Sequence, residues 1–160
     1  MPVFDLQKDD PLVGTTFYLE IQGQTISNLS AVDGLAVEIE TTEVVQRTAD
    51  GKFVQHIAMA KPKYTGSLTL KRYAPLEMTS DALWTWFNDI RTKGMPAGNR
   101  ASQRKSGSIV VYDTTLAEIA RWNFTECWPS KIESDGLDVT KNDPVTETIT
   151  LQYETLNRIK

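Results

Sequence analysis

The chain has 160 residues, 40% of them hydrophobic and 24% charged, with a formal net charge of −4 and one cysteine. That length suits a single domain with its own core, and the acidic balance argues against a nucleic-acid binder that works by general phosphate attraction. The lone Cys127 excludes an internal disulfide, so folding is expected in a reducing compartment.

Residues 1–14 form a polar arm with Pro2, Pro11 and Gly14. The arm is expected to be extended and ordered only where something holds it. It carries acidic residues where a signal peptide needs a basic patch and an apolar run, and no window of the chain approaches the ~20 apolar residues of a membrane-spanning helix. The expected starting place is the cytoplasm. Phe17, Leu19 and Ile21 then alternate with polar neighbours up to a Gln22-Gly23 turn, and a second strand runs from Thr25 to Leu29. Leu35, Val37 and Ile39 alternate with Ala36, Glu38 and Glu40, which predicts a third strand with one dry and one wet face.

From Thr42 to Met59 the alternation persists while hydrophobicity thins. Asp50-Gly51 is a strong hairpin signal between the arms Val44 to Arg47 and Phe53 to Ile57. With so few apolar residues this hairpin is predicted to project from the body, and an isolated hairpin is marginal in water. Next comes YTGSLTLKRYAPLEMTSDALWTWFNDI, residues 64–90. Leu68 and Leu70 alternate with Ser67, Thr69 and Lys71 as a strand. Leu83, Trp86, Phe87 and Ile90 then fall at helical spacing as one apolar stripe. Thr79, Ser80 or Asp81 can cap this helix, and Lys93-Gly94 before Pro96 stops it. A single short amphipathic helix among strands must lie on a sheet. Residues 94–108, rich in Gly, Ser and basic side chains, read as a mobile loop. Strands follow at Ile109 to Asp113, Glu118 to Thr125, Lys131 to Glu133 and Thr148 to Tyr153. The spacing predicts a mainly β domain: a small antiparallel barrel or sandwich, one short helix packed on it, and the projecting hairpin.

Catalytic chemistry is poorly served. Cys127 and His56, the one histidine, make a conceivable nucleophile pair, but no local signature supports it. A shielded structural cysteine and an exposed strand histidine are the plainer reading. One Cys and one His cannot build the usual zinc cage. Asp135, Asp138, Asn142 and Asp143 lack the spacing of a calcium loop, so turn chemistry accounts for them better. Glu38, Glu40 and Glu43 read as a solvated strand face. Gly94, Gly98 and Gly107 do not sit between a strand and a helix as a phosphate cradle requires. Trp84, Trp122 and Trp128 suit a core or an interface more than a base-stacking platform. The basic stretch Arg91 to Lys105 suits a solvated loop or an acidic protein neighbour. No cofactor, metal or catalytic residue is expected. Long edges rich in β-formers and the under-filled hairpin remain, and both suit an assembly that pairs edges.

Five stretches in order resemble the tail-tube proteins of contractile phage tails and phage-tail-like injection systems. They are Ser30-Ala31-Val32-Asp33-Gly34-Leu35 with Glu38 and Glu40; Pro62-x-Tyr64 leading into Ser67-Leu68-Thr69-Leu70-Lys71-Arg72; Leu83-Trp84-x-Trp86-Phe87; Arg121-Trp122-Asn123-Phe124 with Cys127-Trp128-Pro129-Ser130-Lys131; and Thr146 to Glu154. The N-terminal arm is longer than the family's commonest pattern. The resemblance, shared with type VI secretion tube proteins, implies a non-enzymatic inner-tube protomer. Six would form a ring, and rings would stack into a hollow tube that passes DNA or protein cargo. Sheath, baseplate and spike proteins would be its partners, and sheath contraction would drive the tube through a membrane. The particle would assemble in the bacterial cytoplasm and later be released. On this reading Val44, Val45, Phe53, Val54 and Ile57 of the hairpin contact the neighbouring ring. A stand-alone monomeric β-sandwich binding module is the rival, and an enzyme built on Cys127 ranks third.

Overall fold

A computed structural model describes residues 16–64, 66–96, 98 and 100–160, so the arm predicted for residues 1–14 lies outside the described residues. In chain order the strands are β1 (Thr16–Ile21), β2 (Gln24–Leu29), β3 (Ala31–Asp33), β4 (Val37–Arg47), β5 (Phe53–Tyr64) and β6 (Ser67–Tyr73). Helix α1 (Ala82–Lys93) and the short α2 (Arg100–Gln103) precede β7 (Lys105–Tyr112), β8 (Glu118–Ser134), β9 (Thr146–Gln152) and β10 (Thr155–Arg158).

Hydrogen-bonded neighbours run in the order β2-β1-β7-β8-β9-β6-β3, with β10 also on β8, and β4 pairs with β5 in a separate two-stranded sheet. The long strand β8 serves both layers. Its residues Glu118 to Cys127 pair with β7, and Trp128 to Ser134 pair with β9. The switch falls beside Glu126, whose φ of 52° accompanies a shift of ladder register. A bulge of this kind bends a strand and re-aims it. At the far ends of the path, β2 and β3 are separated only by Ser30, whose N–H donates to Lys71 O at 2.8 Å. The sheet therefore folds over itself into a sandwich with two corners, and the barrel is not closed.

Alternation places Leu68, Leu70 and Arg72 of β6 inside, opposite Leu151, Ile149 and Glu147 of β9. Leu19, Ile109, Phe124, Cys127 and Leu156 complete the core with Leu83 and Trp86 of α1. Leu83, Trp86 and Ile90 of the predicted helical stripe thus lie on the sandwich, while Phe87 meets the Trp84 ring edge-on with centroids 6.0 Å apart. Of the three predicted caps, Asp81 fills the role: its Oδ2 accepts from the Trp84 N–H at 2.9 Å. At the other end the Gly94 N–H donates to Ile90 O at 2.8 Å.

Two expectations change. Val37 and Ile39 do not form the dry face of a core strand; they are exposed members of β4, so the hairpin runs from Val37 to Tyr64, beyond the predicted 42–59. Alternation shows that a strand has two faces but not which face meets the core. The stretch 94–108 also holds more structure than its composition suggests, since α2 lies within it and β7 begins at Lys105. Gly107 is buried there, and a Cβ on it would come within 2.6 Å of the Phe124 ring and 2.7 Å of Ile21. Its glycine is a packing requirement rather than a loop signal.

Candidate assembly surface

The hairpin pairs Arg47 with Phe53, Val45 with Gln55, Glu43 with Ile57 and Thr41 with Met59. Directly opposed residues share a face and alternate residues along one strand share it too. One face therefore carries Val45, Phe53, Ile57 and Met59 in a row, exposed by 58%, 74%, 72% and 69%. Between Ile39 and Thr41 the register shifts, because Glu40 faces two residues of β5, Ala60 and Lys61. That bulge keeps Pro62 on the same side as Met59, so Val37 and Ile39 extend the apolar row to the root. The opposite face holds Val44 and Val54, exposed by 40% and 37%, beside His56 and Gln46.

Of the five residues singled out in sequence, then, Val45, Phe53 and Ile57 come together on one face and Val44 and Val54 on the other. Val37, Ile39 and Met59 were missed: Val37 and Ile39 alternate with Glu38 and Glu40, but the polar Thr41, Thr42 and Glu43 interrupt the pattern before Val44 and Val45. The turn closes with Thr48 N–H donating to Lys52 O at 2.8 Å and Gly51 N–H to Thr48 O at 2.9 Å. Gly51 alone takes the left-handed conformation, with φ +79°. The connection is thus a three-residue loop ending in a bulge rather than a two-residue turn. The Arg47 guanidinium sits 5.8 Å from the Phe53 ring centroid, and Gln55 donates to the Glu43 carboxylate. A Lys63–Glu40 ion pair at 3.6 Å lies near the root. Among the described residues β4 and β5 pair only with each other. Each keeps one edge of unpaired N–H and C=O groups, a template for another chain.

The hairpin is rooted by Gly34 and Gly66. Gly34 has φ +93°, and a Cβ there would approach Ser67 O to 2.6 Å. Both the backbone conformation and the close approach demand glycine.

Elsewhere the structure offers little reactive chemistry. Cys127 lies in the core, where burial pushes its thiol up to about 12, while His56 stands on the exposed hairpin. Asp138 accepts from the Thr140 N–H at 2.9 Å and its hydroxyl at 2.7 Å, and Asp135 accepts from Thr146 and Thr148. Among the described residues no group of three or more His, Cys, Asp or Glu is placed to hold a metal. No described helix is long and apolar enough to cross a membrane. Trp86 is buried and donates to Gln103 O at 2.8 Å. Trp84 donates to Glu147 Oε1 at 3.1 Å, and Trp122 carries the Arg158 guanidinium 5.2 Å from its ring centroid.

A β-sandwich with one packed helix and an uncovered apolar hairpin is an architecture suited to assembly. Residues 13–157 match the family described as T4-like virus tail tube protein gp19, and the chain belongs to that family. A search of curated proteins finds no match. Among solved structures the fold is similar to a chain in the structure of the PVC sheath/tube terminator, part of an extracellular contractile injection system, in its extended state. The two share 20% identity and a TM-score of 0.71 over 95% of this chain and 99% of that one. A chain of the PVC sheath-tube complex matches at 19% identity and TM-score 0.68, over 96% of this chain and 95% of that one. A chain of the 6-fold symmetrised anti-feeding prophage baseplate matches at 16% identity and TM-score 0.73, covering 94% and 97%.

Proposed function

We propose that this tail tube family member is the inner-tube protomer of a contractile tail-like particle, six copies closing a ring and rings stacking into a hollow tube. The observation that carries the reading is the hairpin. It exposes an apolar row on one face, two further valines on the other and two edges that pair with no other strand among the described residues. Burying each such side chain against a neighbour contributes about 1.5–3 kcal/mol, and pairing the edges removes an aggregation liability. Val44, Val45, Phe53, Val54 and Ile57 make the contact to the next ring. The six-fold number is supported by the similar baseplate chain, which comes from a 6-fold symmetrised assembly. A sheath as outer partner is supported by the similar chain in a sheath-tube complex. Baseplate and spike proteins complete the partners, and the bore passes DNA or protein cargo.

The work is mechanical, with no covalent step. Assembly takes place in the bacterial cytoplasm, and sheath contraction then drives the finished tube through a membrane. Electron microscopy of the purified chain tests the reading. Six-fold rings or tubes are expected; a compact monomer at high concentration would favour the stand-alone binding module instead.

A further inference from the structure

The hairpin is not the only uncovered apolar surface. Ala74 N–H donates to Val145 O at 2.8 Å, which brings the loop after β6 beside the loop before β9. Leu76, Met78, Leu137 and Val139 stand exposed on these two loops, Leu76 and Val139 fully so, with Tyr73 and Val145 at their base. A recess of about 470 Å³ lies among Leu137, Val139, Val145 and the polar Asp138, Lys141 and Asp143. That volume accepts a phenyl or branched aliphatic side chain.

Position relates the two surfaces. The hairpin roots at the Ser67 end of β6, through Tyr64 and Gly66, while the loop pair lies at the Tyr73 end. The seven residues of β6 separate the ends by roughly 20 Å. One chain therefore carries two unlike apolar surfaces at opposite ends of one core strand. Surfaces so placed cannot satisfy each other within a copy that keeps this fold. Between copies they pair either reciprocally about a two-fold axis or head to tail, and the stacked rings of the tube reading select the second, which repeats without closing when successive copies are related by translation along an axis.

We propose that the hairpin of one copy seats on the Leu76, Met78, Leu137 and Val139 end of a copy in the next ring, with Phe53 or Ile57 entering the recess. The inference rests on the tube reading above and assigns the surface that receives the hairpin. The hairpin supplies the apolar row, and the receiving end supplies the recess of the loop before β9 with Leu76 and Met78 exposed on the loop beside it, so each junction uses one of each.

Mixing two variants tests this. Leu76→Asp/Val139→Asp alters side chains fully exposed in the domain, so its circular dichroism should match the parent while it gives rings and no tubes. Phe53→Asp/Ile57→Asp should do the same. Rings of the two variants, mixed, retain one competent junction, intact hairpin on intact loops, and should give stacks of two rings and nothing longer. Normal-length tubes from the Leu76/Val139 variant, or a mixture that stays as single rings, would overturn the proposal. Should an Asp variant unfold, cross-linking decides. Ile57→Cys and Val139→Cys introduced in one chain should join copies within tubes, with Cys127 shielded in the core; tubes without such cross-links overturn the proposal. A parent that forms neither rings nor tubes overturns the tube reading itself, a distinct result.

Discussion

Arg72 and Asp81 meet in a two-point ion pair, with Nη1 and Nη2 of the guanidinium each 2.8 Å from one carboxylate oxygen. Both side chains are almost wholly withdrawn from solvent. Glu147, the cross-strand partner of Arg72, accepts from Nε at 3.2 Å and Nη2 at 3.1 Å, and its other oxygen takes the Trp84 indole N–H. Since Asp81 also caps α1, this cluster pins the helix start to β6 and β9. A buried charge that is paired and hydrogen-bonded holds geometry well, but stranding one member is costly.

Arg72→Ala leaves two carboxylates buried without their cation. The expected loss is about 3–5 kcal/mol, read as a lower urea midpoint. A change within the range of an ordinary surface substitution would show that the cluster does not hold the helix.

Asp81 sets an acid limit. Burial alone would raise its carboxyl, but the hydrogen bonds from Arg72 and the Trp84 N–H outweigh burial and hold it below the usual range. A lowered carboxyl stabilises the fold fully above the unfolded value of about 3.9 and loses that contribution as pH falls through the folded value. Stability should therefore drop below about pH 4. Asp81→Asn should be weaker at neutral pH yet decline less steeply in acid. Parallel pH profiles for the two proteins would rule out Asp81 as a source of the slope.

Val45→Asp/Phe53→Asp changes two residues on the same exposed hairpin face. The domain should stay folded by circular dichroism while sedimentation shows rings or monomers where the parent gives tubes. Val44→Asp/Val54→Asp probes the opposite, less exposed face and should shorten tubes less. Equal or reversed effects would reassign the contact face.

Gly34→Ala and Gly23→Ala both place a side chain at positive φ, which costs about 1–2 kcal/mol. Only at Gly34 does the new Cβ also meet a backbone oxygen, Ser67 O at 2.6 Å; around Gly23 nothing lies within 4 Å. The Gly34 variant should show the larger fall in denaturation midpoint. Matching midpoints would mean that the hairpin root yields without cost.

Cys127→Ala and His56→Ala should assemble and act as the parent does. Alanine is the better probe at Cys127, because serine would bury a hydroxyl at about 1–3 kcal/mol. Either variant forming normal tubes while losing particle function would restore a chemical role to that side chain.

The β6–α1 stretch was legible because its signals are local: a two-residue alternation, a 3.6-residue stripe and a cap. The Asp50-Gly51 turn was legible for the same reason. Arg72 was not, since a charged residue closing a strand reads as solvated, and Glu147 lies 75 positions away. Gly107 was read as loop because glycine and serine look alike in composition whether they face water or the Phe124 ring. The hairpin's apolar residues were visible, yet their division into two faces needed the register, and the loops bearing Leu76 and Val139 look like any short connection. Distance along the chain hid these features.

The way the hairpin is anchored governs how the domain bears force. Its two roots leave through β3 and the start of β6, strands that are themselves paired antiparallel, Ala31 with Lys71 through Asp33 with Thr69. A pull on the hairpin along β6 reaches the seven-residue β6–β9 ladder, Ser67–Gln152 to Tyr73–Thr146, parallel to the strands. In that direction the ladder is sheared and its hydrogen bonds share the load, where a sideways pull would unzip them one at a time. The buried Arg72–Glu147 pair near the far end of the ladder resists the same slip. Tension entering at the hairpin thus spreads across the seven residue pairs of that ladder before any single bond is asked to carry it.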